Sequence, residues 1–171
     1  MSGEWRFSRR WGYVACAWGV AFAGLHLYWA VGGDVGLSVS AGPELATRRP
    51  AWFVMAGLWG GGALCVLGAA LGWVLAREQP RNALVRRAVG GLGWAVAAVL
   101  LLRAVTIEVL LLTDVTHLSN AIEPDQRFWT LALWNPWFVT GGLSFALAAL
   151  SLRRASAGTG TGAAEVPHPH P

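Results

Sequence analysis

The chain has 171 residues, 55% hydrophobic and only 13% charged, with a mean hydropathy of +0.47 and a formal net charge of +4. A soluble domain carries about 25% charged residues, so a globule of this size would lack the polar surface to face water, and lipid must cover the remainder. The basic residues, all arginine, stand at the ends of apolar runs and form no stripe, which argues against nucleic acid as a partner.

In chain order, a short amino-terminal segment (residues 1–10) precedes a first apolar run over about residues 11–32. A second run covers 51–76, a third 88–112 and a fourth about 128–152. Each meets the roughly 20 residues needed to cross a hydrocarbon core about 30 Å thick. The first run is too long for a signal peptide, so an uncleaved span is expected. Cys16 resembles a lipoprotein attachment site, but the apolar run before it is shorter than the roughly 7–15 residues of a signal-peptide core. Cys16 and Cys65 form no C-x-x-C pair and read as small packing residues, with no metal or cofactor implied. The tail, residues 155–171, is Gly/Thr-rich and ends in Pro167-His168-Pro169-His170-Pro171, a composition that predicts disorder.

Arginine placement orients these spans. Arg6, Arg9 and Arg10 precede the first; Arg77, Arg81, Arg86 and Arg87 lie between the second and third; Arg153 and Arg154 follow the fourth. The remaining two loops hold Arg48, Arg49 and Arg127 against Asp34, Glu44, Asp114, Glu123 and Asp125. This segregation predicts both termini inside. The expected fold is therefore all-α, a four-transmembrane-helix bundle with both termini cytoplasmic. The lack of lysine and the Ala, Gly, Val and Trp richness suggest a GC-rich bacterial genome, hence a multi-pass protein of a bacterial plasma (inner) membrane surrounded by membrane lipids.

Glycines supply the packing surfaces. The second span carries Gly57-x-x-x-Gly61 and Gly68-x-x-x-Gly72, the third begins with Gly90, Gly91 and Gly93, and the fourth holds Gly141 and Gly142. Small residues let helices approach closely in lipid. Packing within the chain is the default reading; homo-oligomerisation through the glycine-rich second helix is the alternative. Trp11, Trp52 and Trp129 sit at span ends, where they read as interfacial anchors.

Polar side chains inside spans are expensive and therefore informative. Counting about 1.5 Å per residue, His26, Glu108 and Asn135 fall in one layer, roughly 6–8 Å below the outer boundary. Arg103 lies deeper, within reach of that layer by its long side chain. Arg103 and Glu108 are about 140° apart around their helix, so each is expected to meet a group on another helix. Trp29, Trp134 and Trp137 surround the layer and read either as pocket walls or, more simply, as an outer aromatic belt. His26 reads equally as a packing histidine, and the two charges as structural. Asn135-Pro136 has the form of a helix start, with Asn as N-cap and Pro at the first position. A metal site from His26, Glu108, Asp114 and His117 lacks diagnostic spacing and ranks low.

Two stretches, His26-Leu27-Tyr28-Trp29-Ala30-Val31-Gly32-Gly33 and Leu133-Trp134-Asn135-Pro136-Trp137-Phe138-Val139-Thr140-Gly141-Gly142, together resemble a family of small bacterial four-helix membrane proteins of unknown function. The resemblance spans roughly residues 10–152 and implies the fold and the membrane location, with no activity and no catalytic residues. Trp134 to Phe138 also resemble the tryptophan-rich sensory protein family, whose five spans do not match the four here.

Three functions compete. The first is a non-enzymatic protein whose outward-facing pocket of His26, Trp29, Arg103, Glu108, Trp134, Asn135 and Trp137 binds a small amphipathic or lipid-like ligand. The second is an intramembrane enzyme with His26 and Glu108 as acid and base on an isoprenoid or lipid substrate, resembling sterol isomerase-like proteins in residue types only. The third is an accessory subunit of a transporter or membrane complex. No recognised catalytic motif favours the enzyme.

Overall fold

The computed structural model describes residues 2–77, 82–113 and 123–158, all helix or connecting turn, with no strand among them. Helix α1 (Ser2–Ala30) is followed by two short helices, α2 (Leu37–Ala41) and α3 (Pro43–Arg48). A π-helical segment, Phe53–Gly60, then runs directly into α4 (Gly61–Ala76). Next come α5 (Ala83–Thr113) and α6 (Pro124–Trp129). A second π-helical segment, Thr130–Trp134, leads without a break into α7 (Asn135–Gly158).

Among the described residues three helices are long and apolar enough to cross a membrane: Arg10–Ala30, Phe53–Ala76 and Ala83–Thr113. Only 17% of the apolar window of Phe53–Ala76, and the same share of that in Ala83–Thr113, is buried inside the protein. So much outward-facing aliphatic surface suits a lipid surrounding and not water. The fourth helical rod, Pro124 to Gly158, carries more polar residues, among them Asp125, Arg127 and Asn135, and packs along both α1 and α5.

Helix bounds depart from the sequence reading at several places. Helix α1 begins at Ser2, well before the apolar run. Helix α7 continues to Gly158, four residues into the tail expected to be disordered. Ala and Ser there propagate a helix already formed, and Gly158 ends the described stretch. Residues 159–171 lie outside the described residues. The first connection, expected as a loop, holds α2 and α3, with Pro43 at the first turn of α3, a position that needs no backbone donor. Gly32 and Gly36, at φ 111° and 76°, let the chain turn back over the end of α1.

Helix α1 lies between α4 and α7, and α7 lies between α1 and α5. The α1–α4 contact is a seam of small residues. A side chain added at Gly12 would place its Cβ 2.5 Å from the Ala76 nitrogen, at Gly19 2.8 Å from that of Ala69, and at Gly72 2.6 Å from that of Cys16. Without those side chains the backbones touch, and dispersion contacts replace the hydrophobic drive that lipid does not provide. On α7, Gly141 accepts the Trp18 indole and Gly142 accepts Leu101. Around them Trp18, Phe22 and Phe145, all buried, fill the centre with Ala15, Leu75 and Ala97. A second cluster, Trp29, Leu37, Phe53 and Leu58, closes the end of the bundle beneath α2 and α3.

Candidate functional site

The second π-helical segment has a cause in the sequence. Pro136 has no N–H for the carbonyl of Ala132, and its ring would collide with that carbonyl in a regular α-helix. Widening the preceding turn relieves the collision and keeps the helix running. Asn135 is consequently not an N-cap. Its backbone is right-handed helical (φ −64°, ψ −48°), and the rod begins eleven residues earlier, at Pro124. The capping expectation fails because proline inside a continuous helix can be absorbed by a π turn.

Freed from capping, the Asn135 side chain is only 2% exposed and turns toward α5. Its Nδ2 donates to Glu108 Oε2 at 2.5 Å, and its Oδ1 accepts from Arg103 Nη1 at 3.3 Å. Arg103 and Glu108, on different sides of α5, thus meet on one amide from α7. No direct ion pair joins them among the described residues. The Arg103 guanidinium also lies over the Phe138 ring, its Cζ 3.8 Å from the centroid. An asparagine suits this place because it offers one acceptor and two donors, matching a cation on one side and a carboxylate on the other.

Beside this chain of hydrogen bonds is a cavity of about 200 Å³. Phe22, His26 and Trp29 of α1 line it, with Leu37, Ser40 and Ala41 of α2, and Arg103 of α5. Both π-helical segments contribute as well: Phe53, Gly57 and Leu58 from the first, Thr130 and Trp134 from the second. Two π turns flanking one cavity matter because such turns are rare and recur at functional sites.

His26 Nδ1 donates to the Phe22 carbonyl at 2.9 Å. The ring stands edge-on to Phe22 and Trp29, and Gly61 gives it room: a Cβ there would come within 2.8 Å of the ring. Trp29 is buried and donates from Nε1 to the Val35 carbonyl at 2.9 Å. Ser40 and Thr130 each donate their hydroxyl hydrogen to a carbonyl four residues earlier, of Gly36 and Gln126. The buried Nε1 of Trp134 has no hydrogen-bond partner among the described residues.

The structure corrects several sequence expectations. Trp29, Trp134 and Trp137 form no outer belt; they point inward, because the aromatic faces of α1 and α7 pack on each other, and Trp137 stacks on Trp18. Trp52 and Trp129, by contrast, are exposed near helix ends. Glu108, Asn135 and Trp137 do not line the cavity. His26 and Glu108 share no hydrogen bond; Asn135 Nδ2 donates to the Glu108 carboxylate, and His26 bonds within its own helix. Among the described residues no group of three His, Cys, Asp or Glu side chains could hold a metal, and Asp114 and His117 lie outside the described residues.

Residues that sequence reasoning missed include Trp18, whose Nε1 donates to the Trp137 carbonyl at 2.9 Å, and Arg49. Arg49 Nη1 donates to the Trp29 carbonyl at 3.0 Å and Nη2 to that of Gly33, so it binds the carbonyl end of α1. Arg127 does the same for α5, donating from Nη2 to the Leu111 carbonyl at 2.9 Å. Favourable pairing of arginine with exposed C-terminal carbonyls was the available signal.

A family model described as a protein of unknown function (DUF3995) matches residues 19–145. The match contains the stretches 26–33 and 133–142 together with Arg103 and Glu108. No curated protein and no solved structure matches the chain.

Proposed function

We propose, for a chain that belongs to the DUF3995 family of unknown function, that it is a four-span, non-enzymatic integral membrane protein. Both termini are cytoplasmic, and the cavity opens toward the outer face to take a small amphipathic or lipid-like ligand. The observation that carries this reading is the cavity itself, a space walled by aromatics with Arg103 on its lining and a π turn on either side.

The fourth rod supports the span count. From Pro124 to Gly158 it is long enough at about 1.5 Å per residue to cross the hydrocarbon. Between its charged ends, the polar residues Asn135 and Ser144 are buried against the other helices and need not meet lipid. The segregation of the arginines along the chain supports the orientation. Of the three arginines on the outer side, Arg49 and Arg127 are occupied as helix caps, and Arg48 pairs with Glu44 at 3.4 Å. Each therefore has a local structural reason to be on that side.

The ligand reading ranks above the alternatives on geometry. An intramembrane acid–base enzyme would need Glu108 on the cavity, and Glu108 is held behind Asn135. A homo-oligomer through the glycine-rich helix would need a face that α1 already covers at Gly61 and Gly72. A subunit role in a larger complex has no specific observation in its favour.

The test is a mass spectrum of the protein purified in mild detergent, resolved for lipids and small metabolites. A small amphiphile bound at one per chain is the expected result. A defined complex with other protein chains and no stoichiometric small molecule would contradict it.

A further inference from the structure

We infer that the polar end of the ligand is an oxyanion, a carboxylate or a phosphate, held by Arg103; this rests on the reading above of the cavity as the seat of an amphiphile.

Among the described residues the lining carries one formal charge, that of Arg103, and no carboxylate. A guanidinium has five N–H donors in a planar fork, and Arg103 uses one of them, on Asn135 Oδ1. The guanidinium lies over the Phe138 ring, a cation–π contact that helps to hold it in place. Glu108 supplies the compensating charge, but only through the intervening amide, so it holds Asn135 in place without occupying the remaining guanidinium donors.

A cationic head would meet Arg103 unfavourably. A neutral hydroxyl would leave most of the fork unpaired in a low-dielectric setting, where unpaired charge is expensive. An oxyanion answers both, since guanidinium binds carboxylate and phosphate through two parallel hydrogen bonds. The remaining walls, Phe22, Trp29, Leu37 and Phe53 among them, suit an apolar chain attached to that head. The volume, about 200 Å³, holds such a head and a short length of chain, with the rest of the amphiphile leaving through the opening.

The experiment is calorimetric titration of the full chain in nanodiscs of digalactosyldiacylglycerol, a neutral lipid that brings no competing oxyanion, with empty nanodiscs as the blank. The probes are dodecanoate, dodecyl phosphate, dodecanol, acetate and inorganic phosphate. The expected result is saturable binding of dodecanoate or dodecyl phosphate, about tenfold or more tighter than dodecanol, as a charge-assisted bond requires. Arg103→Gln should abolish that ratio, and Arg103→Lys, which keeps the charge but loses the fork, should lower it to an intermediate value. Should Arg103→Gln fail to fold, the head-group ratio on the unaltered chain decides alone. Dodecanol binding as tightly as dodecanoate overturns the oxyanion while leaving the amphiphile reading intact. Saturation by acetate or inorganic phosphate without any gain from the dodecyl chain keeps the oxyanion and overturns the amphiphile. No saturation by any probe overturns both.

Discussion

Toward the end of the bundle that holds Gly12 and Ala76, α1 and α4 touch backbone to backbone; toward the end that holds His26 and Gly61, an imidazole ring stands between the same two helices. The first region is regular α-helix with small residues at the contact. The second contains both π turns, the cavity and the Arg103–Asn135–Glu108 chain. In lipid, close approach is the main source of helix association. The seam can thus hold the bundle together while the other end departs from ideal packing. The seam and the cavity lie toward opposite ends of the bundle.

The comparison breaks most easily at the seam. Gly72→Val would drive a side chain into the backbone of Cys16, and a loss of about 3 kcal/mol or more is expected from such overpacking. Unfolding in mixed micelles followed by circular dichroism measures it. Gly24→Ala, at a position with nothing within 4 Å, is the matching control and should change little. Equal stability of the two variants would mean that the seam does not hold the helices.

At the other end the largest effect is expected at Asn135. Asn135→Ala leaves Arg103 and Glu108 without their shared partner, at a cost of about 2 kcal/mol. A double-mutant cycle with Glu108→Gln should show coupling of about 1 kcal/mol. Strict additivity would separate the two residues. Smaller again is Arg49→Ala, which uncovers the carbonyls of Trp29 and Gly33 and should cost about 1 kcal/mol. Its neighbour sharpens the contrast: Arg48→Ala removes an exposed ion pair to Glu44 and should stay within about 0.5 kcal/mol.

The all-helical fold and three of the apolar spans were legible in the sequence because each depends on a local count of apolar residues along a helix. That Arg103 and Glu108 would each reach another helix followed from their angular separation, and both reach Asn135. What stayed hidden depended on which helices are neighbours. Trp18 looks like any apolar residue until Gly141, 123 positions later, opens a slot for it. Asn135-Pro136 carries the same two letters whether it starts a helix or interrupts one, and only the helical stretch from Pro124 decides. Arg49 and Arg127 read as exceptions to the charge rule, yet each is fixed by carbonyls at the end of a different helix. The cavity required α2 as a wall, and those five residues carry no apolar run long enough to attract notice.

The claim on which the rest depends is that the hollow, polar end faces outward. Cysteine placed by Ser40→Cys, on the cavity lining, or by Asn82→Cys, at the opposite end, can be labelled in a chain whose Cys16 and Cys65 are first replaced by alanine. In intact cells treated with a membrane-impermeant thiol reagent, the account predicts labelling at position 40 and none at position 82 until the cells are opened. Labelling at position 82 with position 40 protected would contradict it.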